Sequence, residues 1–390
     1  MNMNFTDLLD MVPRAGELAI DWDKIAQSGF SPYFSKMMET AQNPVWHGEG
    51  DVWAHTKMVC ESLIGLEAWR ALERRKQREL FIAALLHDIG KTVTTRLENG
   101  LPVSPNHTAA GDRMARTILW KGLGMCGTYD LQQFRETVCS LIRYHSAPFH
   151  FYQDKTPEYT AIKIAAKGGL VTDFTNELLS VLAEADIKGR ISGDTDERLE
   201  NVYFFRAVSE EAQCFAGPKQ FPSSFSRYAY LSGRDIYPGQ ELYNDAWGTV
   251  IMLSGLPGTG KDTYIRKVYP DLPMVSLDAL RKETRVPPQG PQDKVIAAAR
   301  EQAKVYLRKK RPFVWNATNI TPMIRERLIH LFTQYKAMVK IVYLEAPWDE
   351  TLRRNRNRKE EVPMYAIDKM LDKLVPPDLA EAHEVEWALA

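Results

Sequence analysis

Apolar residues recur at three- and four-residue intervals through the first half of the chain, then give way to short continuous apolar runs in the second. Between residues 51 and 196, the stretches 56–66, 79–86 and 177–186 repeat apolar positions at the helical period, and no β-branched run interrupts them. This spacing predicts a mostly helical domain. Beyond Trp247, apolar strand candidates at 249–254, 274–277, 312–315 and 339–344 alternate with helical stretches that include 294–310 and 321–335. Strand and helix in alternation predict a parallel sheet covered by helices. Residues 217–239 are rich in Gly, Pro, Ser and aromatics and read as connecting chain. The expected organisation is a helical domain over 1–205, a connecting segment over 206–245 and an α/β domain over 246–390. In the segment, Phe221, Phe225, Tyr228, Tyr230 and Tyr237 either pack against a domain or stack nucleobases, and the sequence leaves both open.

Composition narrows the function. With 390 residues and 44% hydrophobic content, the chain is long enough for two or three cores. Lys+Arg and Asp+Glu are both 50, so an anionic substrate has to be met by local basic groups and metals rather than by bulk charge. The four cysteines, Cys60, Cys126, Cys139 and Cys214, show no paired metal-ligand spacing and read as reduced thiols of a cytoplasmic protein. The N-terminal residues lack a signal-peptide pattern, and no apolar run approaches the roughly 20 residues of a membrane span, so no membrane role is expected.

Two constellations carry chemistry. His87-Asp88 closes an apolar helical run and is followed by Ile89, Gly90 and Lys91. Neighbouring helical residues point about 100° apart, which favours Asp88 bridging two ions while His87 serves one. Paired metals activate water and neutralise the attacked phosphate together. The dipeptide alone is common by chance; its weight comes from His55 before it and His107, His145 and Asp186 after it. That order resembles the HD superfamily of phosphohydrolases over roughly residues 40–200. The resemblance implies His55, His87 and Asp186 as ligands of one divalent metal, His107 and His145 as ligands of a second, and Asp88 as the shared carboxylate. A one-metal member would turn His107 and His145 into phosphate contacts. Lys91 is similar to a basic phosphate contact, with a solvated lysine as the alternative, and His47 and His150 read as structural neighbours. Mn²⁺, Co²⁺ or Ni²⁺ suit mixed imidazole and carboxylate ligation.

The second constellation is Gly255-x-x-x-x-Gly260-Lys261, which follows a predicted strand and precedes a predicted helix. Gly255, Gly258, Thr259 and Gly260 form a loop whose N–H groups turn toward phosphates, and Lys261 reaches the outer ones. Asp262 stands where Ser or Thr usually meets Mg²⁺, and Thr263 follows one residue late, so the Mg²⁺ contact falls to one or the other. Asp278 and Arg281 follow the second strand, and Arg354 and Arg358 lie one helical turn apart in a basic segment. An N-cap aspartate and solvated arginines are the bland readings. The arrangement resembles polynucleotide 5′-kinases over about 246–380. This implies Lys261 as phosphate clamp, Asp278 as general base, Arg281 as acceptor-phosphate contact, Arg354 and Arg358 as lid arginines, and Thr318 or Asn319 positioning substrate or donor.

The order of the domains resembles bacterial HD-domain and polynucleotide-kinase fusion proteins of RNA repair. The implied fold is an all-α HD phosphohydrolase domain followed by an α/β P-loop kinase domain with a parallel sheet. The implied activities are removal of a 2′-phosphate, 3′-phosphate or 2′,3′-cyclic phosphate and NTP-dependent phosphorylation of a 5′-hydroxyl. ATP or another NTP with Mg²⁺ and one or two divalent ions would be the cofactors, and RNA ends, with DNA as the alternative, the partners. No Lys-x-Asp-Gly ligase signature is present, so sealing falls to a separate ligase. An HD phosphohydrolase acting on a signalling nucleotide under P-loop control, or a small-molecule kinase, are the other readings.

Overall fold

The structure, a computed structural model, describes residues 5–287, 290–358 and 360–389. It divides into two compact units, Met1–Met125 with Tyr129–Lys219, and Gln220–Ala390 with Cys126–Thr128.

In the first unit the helices that matter are α1 (Val52–Gly65), α2 (Arg74–Leu86), α3 (His107–Thr117), α4 (Tyr129–Tyr144), α5 (Asn176–Lys188) and α6 (Thr195–Glu211). Asp51 caps α1 by accepting a hydrogen bond from the Ala54 N–H at 2.8 Å. The centre is α2, where every residue from Leu80 to Leu86 is fully buried and packs against α1, α4 and α5. A helical stretch apolar on all sides, as the second half of α2 is, belongs in the middle of a bundle. Between α3 and α4 lies a buried ionic network. Arg116 donates to both Glu136 oxygens at 3.0 Å and to Asp112 at 2.6 Å, while Arg135 donates to Glu136 at 2.7 Å. Four charges out of water are tolerable because each faces an opposite charge.

The unit is not wholly helical. Arg96–Glu98 and Leu101–Val103 form a short antiparallel hairpin. Its turn is Asn99-Gly100, both at positive φ (51° and 80°), the pair favoured in two-residue hairpin turns. Strands of three residues are too short to leave a periodic trace.

The second unit contains α7 (Ser224–Leu231), β1 (Thr249–Ser254), α8 (Lys261–Val268), β2 (Met274–Ser276), α9 (Leu277–Glu283), α10 (Asp293–Arg308), β3 (Val314–Asn316), α11 (Pro322–Gln334), β4 (Met338–Glu345), α12 (Trp348–Arg356), α13 (Met364–Leu371) and β5 (Glu384–Leu389). The strands pair in the order β2-β3-β1-β4-β5, all parallel. Strand β1 is central and buried on both faces: Val250 and Met252 join the core that holds Phe313, Phe332 and Ile341, and Ile251 and Leu253 join the one that holds Val314, Val342 and Leu344. Hence its unbroken apolar sequence.

The edge strand β5 is the strand of this five-stranded sheet that sequence periodicity did not indicate. Its alternation of Glu384, Val385, Glu386 and Trp387 marks a half-exposed edge, and Glu386 pairs with Lys340 of β4 at 2.7 Å. The aromatic stretch read as connecting chain contains α7 and lies in the second unit. Phe225 and Tyr228 pack on His383 with ring centroids 5.6 and 4.1 Å away, Phe221 packs on buried Tyr230, and Tyr237 is exposed. Among the described residues, no helix is long and apolar enough to cross a membrane.

Candidate functional site

Five helical segments bring the six histidines and aspartates together. His55 comes from α1, His87 and Asp88 from the turn that ends α2, His107 from the start of α3, His145 from just beyond α4, and Asp186 from α5. Close backbone approach makes this possible at two glycines. A Cβ on Gly90 would lie 2.0 Å from the His107 carbonyl oxygen, and one on Gly189 would lie 2.5 Å from Cα of Val59. Only glycine lets the His-Asp turn meet α3, and α5 meet α1, at these distances.

Each imidazole is aimed by its Nδ1. His87 Nδ1 donates to the Ala84 carbonyl at 2.7 Å, His107 to Ser104 at 2.9 Å, and His145 to Ile142 at 2.9 Å. His55 Nδ1 lies 3.2 Å from the Gly189 carbonyl and 2.9 Å from a Glu49 oxygen. With Nδ1 protonated, every Nε2 presents a lone pair to the centre, the arrangement in which a metal-ligating histidine is held.

Asp88 divides its two oxygens between two sets of partners. Oδ2 lies 3.3 Å from His87 Nε2, 3.6 Å from His55 Nε2 and 2.7 Å from Lys91 Nζ. Oδ1 faces His107 Nε2 at 3.5 Å and His145 Nε2 at 3.8 Å, and it is buried without a hydrogen-bond partner. Asp186 reaches His55 through Oδ1 at 3.1 Å, and through Oδ2 it lies 4.0 Å from His87 and 3.9 Å from His145. Ligand atoms of His55, His87 and Asp88, of His87, His145 and Asp186, and of Asp88, His107 and His145 each converge closely enough to share an ion. An orphaned carboxylate oxygen, and two imidazole lone pairs 3.3 Å apart at His55 and His87, are unfavourable unless a cation sits among them. The donor set fits a divalent metal.

Charge follows the same geometry. Burial opposes ionisation of Asp88 and Asp186, yet Lys91 beside the first and Arg190 beside the second hold both well below the usual carboxylate range. Burial lowers His145 to about 3, keeping it neutral and fit to ligate. Asp88, His107, His145 and Asp186 of the cluster line a cavity of about 260 Å³ together with His47, Lys91, Phe149, His150 and Arg190. Lys91 is therefore at the site, where its ammonium also donates to Gln42 at 2.6 Å. Sequence reading missed Glu49 and Arg190. Arg190 stands four residues after Asp186, a spacing that could have flagged it; Glu49 left no signal, because loop folding alone carries it to His47 at 2.8 Å and to His55.

In the second unit the loop Gly255–Lys261 joins β1 to α8. Gly255, Gly258 and Gly260 all have positive φ (144°, 87° and 86°). Lys261 Nζ donates to the Gly255 and Leu256 carbonyls at 2.8 Å each, and burial lowers it to about 8. Thr259 is buried and donates to Leu256. Asp262 and Thr263 are both exposed; Asp262 accepts a hydrogen bond from Asn316 Nδ2 at the end of β3, at 2.7 Å, and Thr263 accepts one from Arg266 at 3.2 Å. The carboxylate, not the hydroxyl, is held at the strand ends.

Ser276 caps α9, which frees Asp278 in the first turn. The Asp278 carboxylate pairs with Arg281 through one oxygen and with Arg358 through the other, the latter at 3.3 Å. Arg281 also donates to Gln292 at 2.9 Å. Arg354 is turned to Glu350 of its own helix. Thr318 supplies its carbonyl to the Gly255 N–H at 2.9 Å, and the Asn319 amide, buried, donates to the Leu253 carbonyl at 2.6 Å. Thr318 and Asn319 thus brace the phosphate loop against β1.

Comparison with known families gives two matches: the HD domain over residues 52–167 and an AAA domain over residues 250–377. Asp186 lies beyond the first of these stretches, and folding alone joins it to the cluster. A solved structure described as a "putative kinase" from Chloroflexus aurantiacus J-10-fl is 18% identical, covers 36% of this chain and 88% of its own, and superposes with a TM-score of 0.30, too low to carry a structural conclusion. The chain therefore joins an HD-domain phosphohydrolase unit to an AAA-class P-loop nucleotide-binding unit.

Proposed function

We propose that the protein heals both ends of a broken RNA strand. The HD unit removes a 2′-phosphate, 3′-phosphate or 2′,3′-cyclic phosphate, and the P-loop unit phosphorylates a 5′-hydroxyl, leaving ends that a separate ligase can join. One observation carries the hydrolytic half: the two oxygens of Asp88 face separate imidazole pairs, His55 with His87 and His107 with His145. That is the layout of a carboxylate shared between two cations.

His55, His87, Asp88 and Asp186 would hold one divalent ion, and His107 and His145, with Asp88, a second. The ions, when bound, supply a nucleophilic water and neutralise the phosphoryl oxygens. Lys91 adds a fixed positive charge at the cavity wall, where the phosphoryl group gains negative charge as the ester bond breaks. Arg190 holds the Asp186 carboxylate in its inward orientation.

In the P-loop unit the acceptor 5′-oxygen attacks the γ-phosphorus of the NTP, the bond to the β-phosphate oxygen breaks, and the hydroxyl proton passes to Asp278. Arg358 and Arg281 hold that carboxylate, and both neutralise the transferring phosphate or its neighbour once substrate displaces them. Lys261 leaves its two loop carbonyls for the β- and γ-phosphates. Asp262, held by Asn316, would be the residue to meet Mg²⁺, supplying a carboxylate where a hydroxyl usually serves.

The test is end-group analysis of an oligoribonucleotide with a 5′-hydroxyl and a 3′-phosphate, incubated with Mn²⁺, Mg²⁺ and γ-labelled ATP. Label should enter the 5′ end and vanish with Asp278→Ala, and the 3′-phosphate should be released unless His87 and Asp88 are both replaced. A protein that binds metal and ATP but alters neither end would overturn the reading.

A further inference from the structure

The cavity above the histidine cluster, about 260 Å³, is smaller than the range of about 300–1,000 Å³ in which small molecules are enclosed. That volume admits a phosphate and a sugar before a base, so the base of a nucleotide whose phosphate reaches Asp88 falls toward the cavity mouth. What the base would meet is set by two walls. On one side His47 lines the cavity and Trp46, next in sequence, is 43% exposed. On the other, His150 lines the cavity and its Nε2 lies 3.3 Å from an Arg198 nitrogen. Arg198 meets Trp46: its guanidinium carbon stands 5.4 Å from the indole centroid.

Trp46 is thus linked to two cavity-lining residues, to His47 by the chain and to His150 through Arg198, and its loop is held. Trp46 N–H and His47 N–H both donate to the Asn43 carbonyl, Gly48 N–H donates to the Ile191 carbonyl at 2.8 Å, and Ile191 N–H donates to Glu49 at 2.9 Å. Arg198 is braced in turn by Asp194. A large ring half in water, rigidly held and backed by a guanidinium, is costly to leave exposed and well suited to a flat π-surface.

We propose that Trp46, backed by Arg198 and His150, is the stacking platform for the base of the terminal nucleotide whose phosphate enters the HD cavity. The platform rests on the end-healing reading above and narrows it: the substrate is a nucleotide end rather than a free phosphoester. Stacking accepts any base, so the preference is for a base over none, not for one base over another.

Steady-state hydrolysis separates the two ideas. Two 3′-phosphorylated oligoribonucleotides are compared, one ending in adenosine and one ending in an abasic ribose. Trp46→Ala should raise KM about tenfold on the adenosine end with kcat within twofold, and leave both constants unchanged on the abasic end. Trp46→Phe should restore most of the loss. Equal effects on both substrates, or no effect on either, overturn the platform while leaving the end-healing function standing. A wild-type protein that releases phosphate from neither substrate overturns the end-healing reading, and the platform with it.

Discussion

Gly90→Ala is the sharpest test of how the hydrolytic site is assembled. The residue has φ −64° and ψ −22°, ordinary for alanine, so the substitution strains no dihedral and acts through space alone. Its Cβ would lie 2.0 Å from the His107 carbonyl oxygen, 2.5 Å from Gly111 N and 3.0 Å from Gly111 Cα, all backbone atoms of the first turns of α3. Contacts under 3.0 Å are not tolerated. The His-Asp turn and α3 must part by about 1 Å, and the shift falls on the residue carrying one imidazole of the second ligand pair. Overpacking of this kind costs about 1–3 kcal/mol of stability, and a 1 Å misplacement at a reacting centre costs about 10²-fold in rate. The HD unit should stay folded but release 3′-phosphate about a hundredfold more slowly, with 5′-phosphorylation unaffected. Metal stoichiometry by elemental analysis and kcat on a 3′-phosphorylated oligonucleotide decide it. Hydrolysis within twofold of wild type would refute the argument that this contact sets the ligand spacing.

Two further outcomes follow from the ionisable groups of the same unit. Glu136→Ala leaves the buried Arg116 and Arg135 without their shared carboxylate and should cost about 3–5 kcal/mol in urea unfolding of the HD unit; a loss under about 1 kcal/mol would contradict the network. Glu79 is fully buried, and burial first, then Asp173, raises its carboxyl to about 8 against the pull of Arg75. The folded state therefore holds this proton more tightly than the unfolded chain, so the stabilisation is complete below about 4.5 and is lost as pH rises toward 8. Glu79→Gln should flatten that decline, by on the order of a few kcal/mol, and exceed wild type in stability above pH 8; unchanged pH slopes in thermal melts would exclude it.

The sequence by itself determined the elements and the chemistry. Helical period over 51–196 and the strand-helix alternation after Trp247 follow from which faces must be buried, a property local to each segment. Four of the five sheet strands were legible in this way; β5 was not, because Glu384 and Glu386 on an exposed edge break the apolar run. The Asn99-Gly100 hairpin left its mark only in the turn pair. Residue types at the six candidate ligand positions and in the glycine-rich loop were readable because metal and phosphate chemistry call for such residues.

Only the tertiary structure decided how those residues face one another. His55 and Asp186 are 3.1 Å apart although their helices lie far apart in sequence, and the Gly189 contact with Val59 sets that approach. Which oxygen of Asp88 meets which histidine, the bond from Asn316 that holds Asp262, the burial of Asn319 against β1, the arrival of Glu49 beside His55 and that of Arg190 at the cavity all depend on long-range packing. Periodicity records how a segment meets its own core. It holds no record of which distant backbone comes close enough to aim a side chain.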